Sequence, residues 1–164
     1  MQPRPYMRPI KWLVALRPIS WLLARLLPPV DRFFLRRSNN RWSVAAWLTG
    51  LPIVTLTCTG AKSGRREVVP LVGLLDGERV VLYASNFGGP RHPAWYHNLV
   101  AHPKAELAWG GHTGQYRMRE ALGEERARYW ARAVALYRGY DYYARRTAPR
   151  VIPVLVMEPL NPES

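Results

Sequence analysis

Residues 57–71 read TCTGAKSGRREVVPL, residues 76–86 read DGERVVLYASN and residues 88–99 read GGPRHPAWYHNL. The first segment is an apolar, Thr-rich run that breaks into a basic, glycine-flanked loop. Lys62, Arg65 and Arg66 surround Gly60 and Gly64, where cationic heads and backbone N–H groups can converge on an anion. In the second segment the Asp76-Gly77 pair favours a two-residue hairpin, which returns the next strand, ending at Ser85-Asn86, alongside the basic loop. In the third, Pro93 suits the first turn of a helix, where its missing N–H costs no hydrogen bond, and Trp95 and Asn98 then share a helix face. The loop lacks the G-x-x-x-x-G-K-[ST] spacing of a phosphate-binding Walker loop.

Working outward, alternation and turn residues predict strands near 53–59, 66–75, 79–85, 104–110, 113–121 and 151–158. Gly110-Gly111 marks a second hairpin. A short helix fits residues 93–101, between Pro93 and Pro103. A longer helix begins after Gly123, with Glu124 and Glu125 at its positive end and Arg128 placed to pair with Glu124, and runs to about Tyr137. Trp42–Ala61 is uncharged, but Gly50, Pro52 and its threonines make it a helix end, a turn and a strand rather than a membrane span. Six strands with inserted helices form a small, mainly antiparallel α+β barrel rather than a parallel doubly wound sheet.

The chain has 164 residues, enough for one domain with a substantial core. Its single cysteine, Cys58, excludes an internal disulfide and reads as a buried thiol in a strand. The net charge of +13 is unevenly spread, because residues 1–41 hold nine Lys/Arg against one acid, Asp31. There the charge is interleaved with Trp12, Leu13, Trp21, Leu22, Leu23, Leu26 and Leu27. Such a mixture suits an anionic membrane surface better than nucleic acid. Pro18 and Pro28-Pro29 divide it, and its longest uncharged stretch, 18–24, is too short to span a bilayer. The alternative is that these helices pack on the barrel and merely expose their arginines. The chain therefore divides into a basic amphipathic extension, 1–41, and a barrel domain, 42–164. No signal-peptide pattern opens it, so the expected location is the cytoplasm, or the inner face of the plasma membrane if the extension meets lipid. No pattern fixes an oligomeric state.

His92, His97, His102 and His112 have no metal-binding spacing, so no metal is expected. There is no G-x-S-x-G elbow and no paired carboxylates for hydrolysis. Tyr137, Tyr140 and Tyr143 recur every third residue, which places them on one side of any helix as a buried face or a substrate wall.

T-G-x-K-S-G at 59–64, A-S-N at 84–86 and P-R-H-P-A-W-Y-x-N-L at 90–99, in this order and spacing, closely resemble the deazaflavin-dependent nitroreductase family. The resemblance runs from about Ile53 to Pro159. It implies a split β-barrel of the FMN-binding type that binds coenzyme F420. By this resemblance Lys62 and Ser63, with Gly64, Arg65 and Arg66, match the loop that holds the cofactor's anionic tail. Val68, Val69, Pro70 and Leu71 match the strand along the deazaflavin ring, and Ala84, Ser85 and Asn86 the loop facing ring and ribityl chain. Ala94, Trp95, Tyr96 and Asn98 match the helix closing over the cofactor, and Tyr137, Tyr140 and Tyr143 the substrate side. One position departs from the family: residue 67, usually arginine, is Glu67.

The implied chemistry is hydride transfer from the reduced deazaflavin to a small lipophilic acceptor: a quinone, a nitroaromatic or an activated alkene. Tyr140 is the first candidate to hydrogen-bond or protonate the reduced product, with Tyr143 and Ser85 behind it. FMN in the same barrel is the alternative cofactor, and Glu67 keeps open a non-catalytic binder of lipid or cofactor at a membrane surface. Nucleic acid is not an expected partner.

Overall fold

Continuous apolar runs and alternating runs have different fates in this chain. In β1 (Ile53–Thr59) the alternate residues Val54, Leu56 and Cys58 are buried in the barrel interior. In β3 (Arg79–Tyr83) and β6 (Val154–Pro159) both faces are buried: Val80, Leu82, Leu155 and Met157 point inward, while Val81, Tyr83, Val154 and Val156 join a second, outer cluster. Side chains of a strand alternate between faces, so an uninterrupted run such as VLVM requires cover on both. That cover comes from helices packed outside these two paired strands.

The computed structural model describes residues 52–160. Together with β2 (Arg66–Asp76), β4 (Lys104–Trp109) and β5 (His112–Glu120), the strands form a closed barrel in the order β1-β2-β3-β6-β5-β4, every pairing antiparallel. The six-stranded antiparallel barrel expected from sequence is thus present. Helix α1 (Ala94–Ala101) inserts Trp95 and Leu99 into the interior cluster. Helix α2 (Gly123–Leu136) lays Tyr129 and Ala133, with Trp130 and Val134 beside them, on the outer cluster, an i, i+4 stripe. Helix α3 (Gly139–Thr147) adds Tyr140 and Tyr143 to that cluster.

The turns follow residue chemistry, with one shift from expectation. Asp76 stands opposite Arg79, so the two-residue loop is Gly77-Glu78, with Gly77 at φ +62° in the first central position. Trp109 stands opposite His112, and Gly110 and Gly111 both have positive φ, as a type I′ hairpin demands. β3 ends at Tyr83 rather than at residue 85: Ala84 N–H still bonds to Pro153 O, but no N–H returns from the proline, and Ser85 turns back to Tyr83 O. β6 starts at Val154, after Pro153, which has no N–H to give the ladder. The carboxylate engaged near the start of α2 is Glu125, bonded to Arg119 at 2.6 Å, while Arg128 lies over the Tyr129 ring, 5.3 Å from its centroid, instead of pairing with Glu124.

The barrel wall is not uniformly paired. β3 accompanies β2 only from Gly73 to Asp76, whereas β1 accompanies it from Arg66 to Val72. Among the described residues, Arg66–Val72 therefore has a strand on one side only, and this opening positions the site. No helix among these residues is long and apolar enough to cross a membrane. The basic extension expected over residues 1–41 lies outside the described residues.

Candidate active site

Three elements besides β2 carry the residues matched to a cofactor site. The first is the loop after β1. Gly60 N–H bonds to Arg65 O and Gly64 N–H to Gly60 O, each at 2.8 Å, closing a tight exposed turn with Gly64 at φ +65°. A Cβ on Gly60 would collide with Ser63 Oγ, so a side chain there would turn that hydroxyl aside. Lys62 and Arg65 are exposed and belong to none of the ion pairs among the described residues. Arg66 differs, because its guanidinium bonds to Glu106 at 2.9 Å. The free cationic heads of the loop are therefore Lys62 and Arg65. Glu67 stands opposite Cys58, and a Cβ on Gly60 would lie 3.6 Å from its Cγ, which puts a carboxylate at the base of the loop.

The second element is α1. Asn98 Oδ1 accepts the Ala61 N–H at 2.9 Å, and its amide nitrogen lies 3.7 Å from Cys58 Sγ. The helix thus holds the basic loop through one side chain. Trp95 is buried with Leu99 in the barrel, Ala94 is exposed, and the half-buried Tyr96 ring lies 4.8 Å from that of His92. Burial pushes the Cys58 thiol up, against the bond from Asn98, so it remains protonated and unreactive.

The third element is the turn after β3. Ala84 is fully buried and anchors it. Ser85 is half-buried, and Asn86 and Phe87 both adopt left-handed backbone, φ +50° and +53°. Two successive non-glycine residues in that region cost about 1–3 kcal/mol each and persist only where the surroundings over-determine them. The surroundings here are specific: Asn86 Nδ2 bonds to Arg91 O at 3.0 Å, and Gly89 N–H to Asn86 O at 2.8 Å. Phe87 then reaches the ring of Tyr143, centroids 6.4 Å apart and nearly perpendicular. A Cβ on Gly88 would stand 3.2 Å from Tyr143 Cα, so the turn lies directly on α3.

Tyr137, Tyr140 and Tyr143 do come together, but not on one helix. α2 ends at Leu136, Tyr137 is extended at φ −150°, and a new helix starts at Gly139. The rings meet pairwise at 5.8, 6.0 and 6.2 Å, and the hydroxyls of Tyr137 and Tyr143 lie 3.2 Å apart. Burial pushes the phenols of Tyr137 and Tyr140 far above the usual tyrosine range. It raises Tyr143 too, partly offset by the bond to Tyr137. All three remain protonated at working pH, as hydrogen-bond donors rather than bases.

Sequence reading missed Arg150. Its guanidinium bonds to Ala84 O (3.3 Å), Ser85 O (3.0 Å), Gly89 O (2.8 Å) and His92 Nδ1 (3.0 Å). Nothing local marks it, since it sits in an irregular stretch between α3 and β6 and its partners lie some sixty residues earlier. No group of His, Cys, Asp or Glu among the described residues could hold a metal.

A flat ring carrying an anionic tail fits these elements. Among the described residues, the half-exposed Val68, Val69, Pro70 and Leu71 line the stretch of β2 with one strand neighbour, two cations without an ion pair stand at one end, and an aromatic cluster lies beyond the Ser85–Gly89 turn. The fold and site thus define a split-barrel oxidoreductase of the deazaflavin-dependent class. A sequence model of the F420H(2)-dependent quinone reductases matches residues 31–159, and the chain belongs to that family. A Mycobacterium tuberculosis protein, named as a candidate F420H(2)-dependent quinone reductase, is 34% identical over 109 residues, 66% of this chain and 91% of that one. Among solved structures, an F420-H2 dependent reductase superposes with a TM-score of 0.61 at 40% identity, over 65% of this chain and 94% of its own. Another, described as a domain-swapped dimer, gives a TM-score of 0.62 at 32% identity, over 87% of this chain and 100% of its own.

Proposed function

We propose that this protein is an oxidoreductase that reduces a quinone with reduced coenzyme F420. The observation that carries the reading is the unpaired stretch of β2, flanked by the free cations Lys62 and Arg65 on one side and by the Phe87–Tyr143 contact on the other. Support for the acceptor comes from the family, whose model describes quinone reductases.

When bound, the deazaflavin supplies the hydride. Lys62 and Arg65 attract and hold an anionic tail, with Ser63 and the backbone of Gly64 beside them. Glu67 opposes that attraction from the base of the loop. Val68–Leu71 give a flat apolar bed along the free strand edge, and Ser85-Asn86 offer a hydroxyl and an amide across from it. Phe87, Tyr143, Tyr140 and Tyr137 exclude water from the acceptor's side, where low polarity suits a lipophilic quinone. As quinone oxygen gains electron density, a tyrosine O–H stabilises it by hydrogen bonding; Tyr140 is the first candidate, then Tyr143 and Ser85.

Nitroaromatics are opportunistic substrates on this reading, accepted because the wall is apolar and aromatic. Residues 1–41 bring the enzyme to anionic membrane, where lipophilic quinones reside, on the strength of their +8 charge interleaved with Trp and Leu.

The deciding experiment is a binding titration of oxidised F420, FMN and NADPH side by side, followed by oxidation of reduced F420 with menadione. Tight F420 binding with menadione-dependent turnover is expected. Tighter FMN binding would identify a flavin enzyme instead, and F420 binding without turnover a non-catalytic binder.

A further inference from the structure

We propose that Arg150 is a positioning residue for the Ser85–Gly89 turn, acting on cofactor affinity through that turn rather than by contact. The proposal rests on the reading of Ser85-Asn86 as cofactor-facing. A planar guanidinium offers its donors in a fixed fork, and here both terminal nitrogens are engaged, while Nε is buried without a hydrogen-bond partner among the described residues. Nη1 donates to Ala84 O and His92 Nδ1, and Nη2 donates to Ser85 O and Gly89 O. These acceptors span the turn: two where the chain leaves β3, one where it ends, and one on the approach to α1. Between them lie Asn86 and Phe87 in left-handed backbone, a conformation that asparagine tolerates and phenylalanine does not favour. Arg150 itself is fixed from behind, with Arg150 N–H bonded to Thr147 O and Arg150 O accepting from Thr147 Oγ1.

His92 closes the arrangement. Arginine only donates, so His92 Nδ1 accepts and the imidazole carries its proton on Nε2. His92 packs on Tyr96 of α1, and Asn98 of the same helix holds the basic loop. One guanidinium thereby ties the ring-facing turn to the helix that positions the tail-binding loop. Both halves of the site keep their spacing through it. A lysine at residue 150 has a single nitrogen and cannot reach both ends of the turn with the same geometry.

The test compares Arg150→Lys and Arg150→Gln with the full-length wild type by amide hydrogen exchange without cofactor, F420 titration, and the KM for menadione. The expected result is faster exchange confined to residues 85–89, with β1 and β5 unchanged, and F420 affinity weakened about tenfold or more. The menadione KM should move much less. Added guanidinium ion should restore part of the affinity to Arg150→Gln and none to wild type. Unchanged exchange at 85–89 would overturn the proposal, as would exchange that rises everywhere together with a fall in melting temperature. Loosened exchange with unchanged F420 affinity would also overturn it, since the turn would then be held but not used. If wild type itself fails to bind F420, the functional reading falls and the proposal with it, and that outcome is recognised by the wild-type titration alone.

Discussion

The ring of Tyr137 fills the space into which a Cβ at residue 139 would project, so Gly139 and Tyr137 are interlocked. The ring is held there by its hydroxyl, 3.2 Å from that of Tyr143. Gly139 is at once the first residue of α3 and the floor beneath the Tyr137 ring.

Gly139→Ala should therefore force the Tyr137 ring out and break its contact with Tyr143. Overpacking of this kind costs about 1–3 kcal/mol. Chemical denaturation should show the loss, and steady-state kinetics a raised quinone KM with F420 affinity nearly intact. Wild-type stability and KM in the variant would show that the interlock is relaxed at no cost.

The cations of the basic loop should separate by partner. Lys62→Ala removes a free charge, and losing one charge-assisted contact to an anionic tail costs roughly 1.5–3 kcal/mol, about 10- to 150-fold in affinity. Arg66→Ala should weaken F420 binding far less, because Arg66 is already bonded to Glu106. Titrations at low and high salt would decide it. Equal losses for the two variants, or an unchanged dissociation constant for Lys62→Ala, would contradict this division.

His92 should give the turn an acid limit. Burial, the Arg150 guanidinium and His97 all hold its imidazole below the usual histidine range, opposed only by Glu120, and the Tyr96 ring covers it. A histidine depressed in the folded state contributes stability that is complete above its unfolded value, about 6.5. That contribution declines as pH falls and is gone below the folded value, where the imidazolium can no longer accept from Arg150. Exchange at residues 85–89 should rise over this window, above the range where the carboxylates Asp76 and Glu125, held low by Arg132 and Arg119, are protonated. His92→Gln should abolish that step. A turn equally protected on both sides of the window would refute it.

Tyr140→Phe tests the acid role directly. General acid or hydrogen-bond stabilisation contributes typically 10²- to 10⁴-fold, so kcat for quinone reduction should fall by about 10² or more while F420 affinity holds. If Tyr143→Phe is damaging and Tyr140→Phe silent, the donor is Tyr143.

Truncation tests the basic extension. Each basic residue near an anionic surface contributes on the order of 1 kcal/mol, so full-length protein should sediment with anionic vesicles and not with neutral ones. The family match begins at residue 31, so one truncation should start there and another at Arg41. Activity on a soluble acceptor should survive. Equal sedimentation of all forms would exclude a membrane role, and insolubility of the Arg41 form would assign the extension to the barrel core.

Strand positions were legible because alternation, Gly77, Gly110 and Gly111 are local signals, and β1 falls where IVTLTCT predicts it. Ends were less so. β3 and β6 stop where Ala84 N–H meets Pro153 O, because Pro153 has no N–H to return and Ser85 turns back to Tyr83 O. α3 was missed because GYDYYARRT has weak helix formers, and its packing on Phe87 and Gly88 decides it instead. In the candidate site, the basic loop and the tyrosine triplet stood out by residue type and spacing, and the roles proposed for them and for Ser85-Asn86 came from the family resemblance. Arg150 was not, since its role exists only in the acceptors that folding brings to it.

The stretch of β2 left unpaired on one side among the described residues has a further consequence. A strand edge without a neighbour is a template on which foreign strands can add, and soluble proteins guard such edges with charge or proline. Here Arg66 and Glu67 stand at the start of the edge and Pro70, opposite Thr55, in its middle. Proline breaks the regular run of donors that an incoming strand would need. The wall can stay open for a ligand without becoming a seed for fibrils.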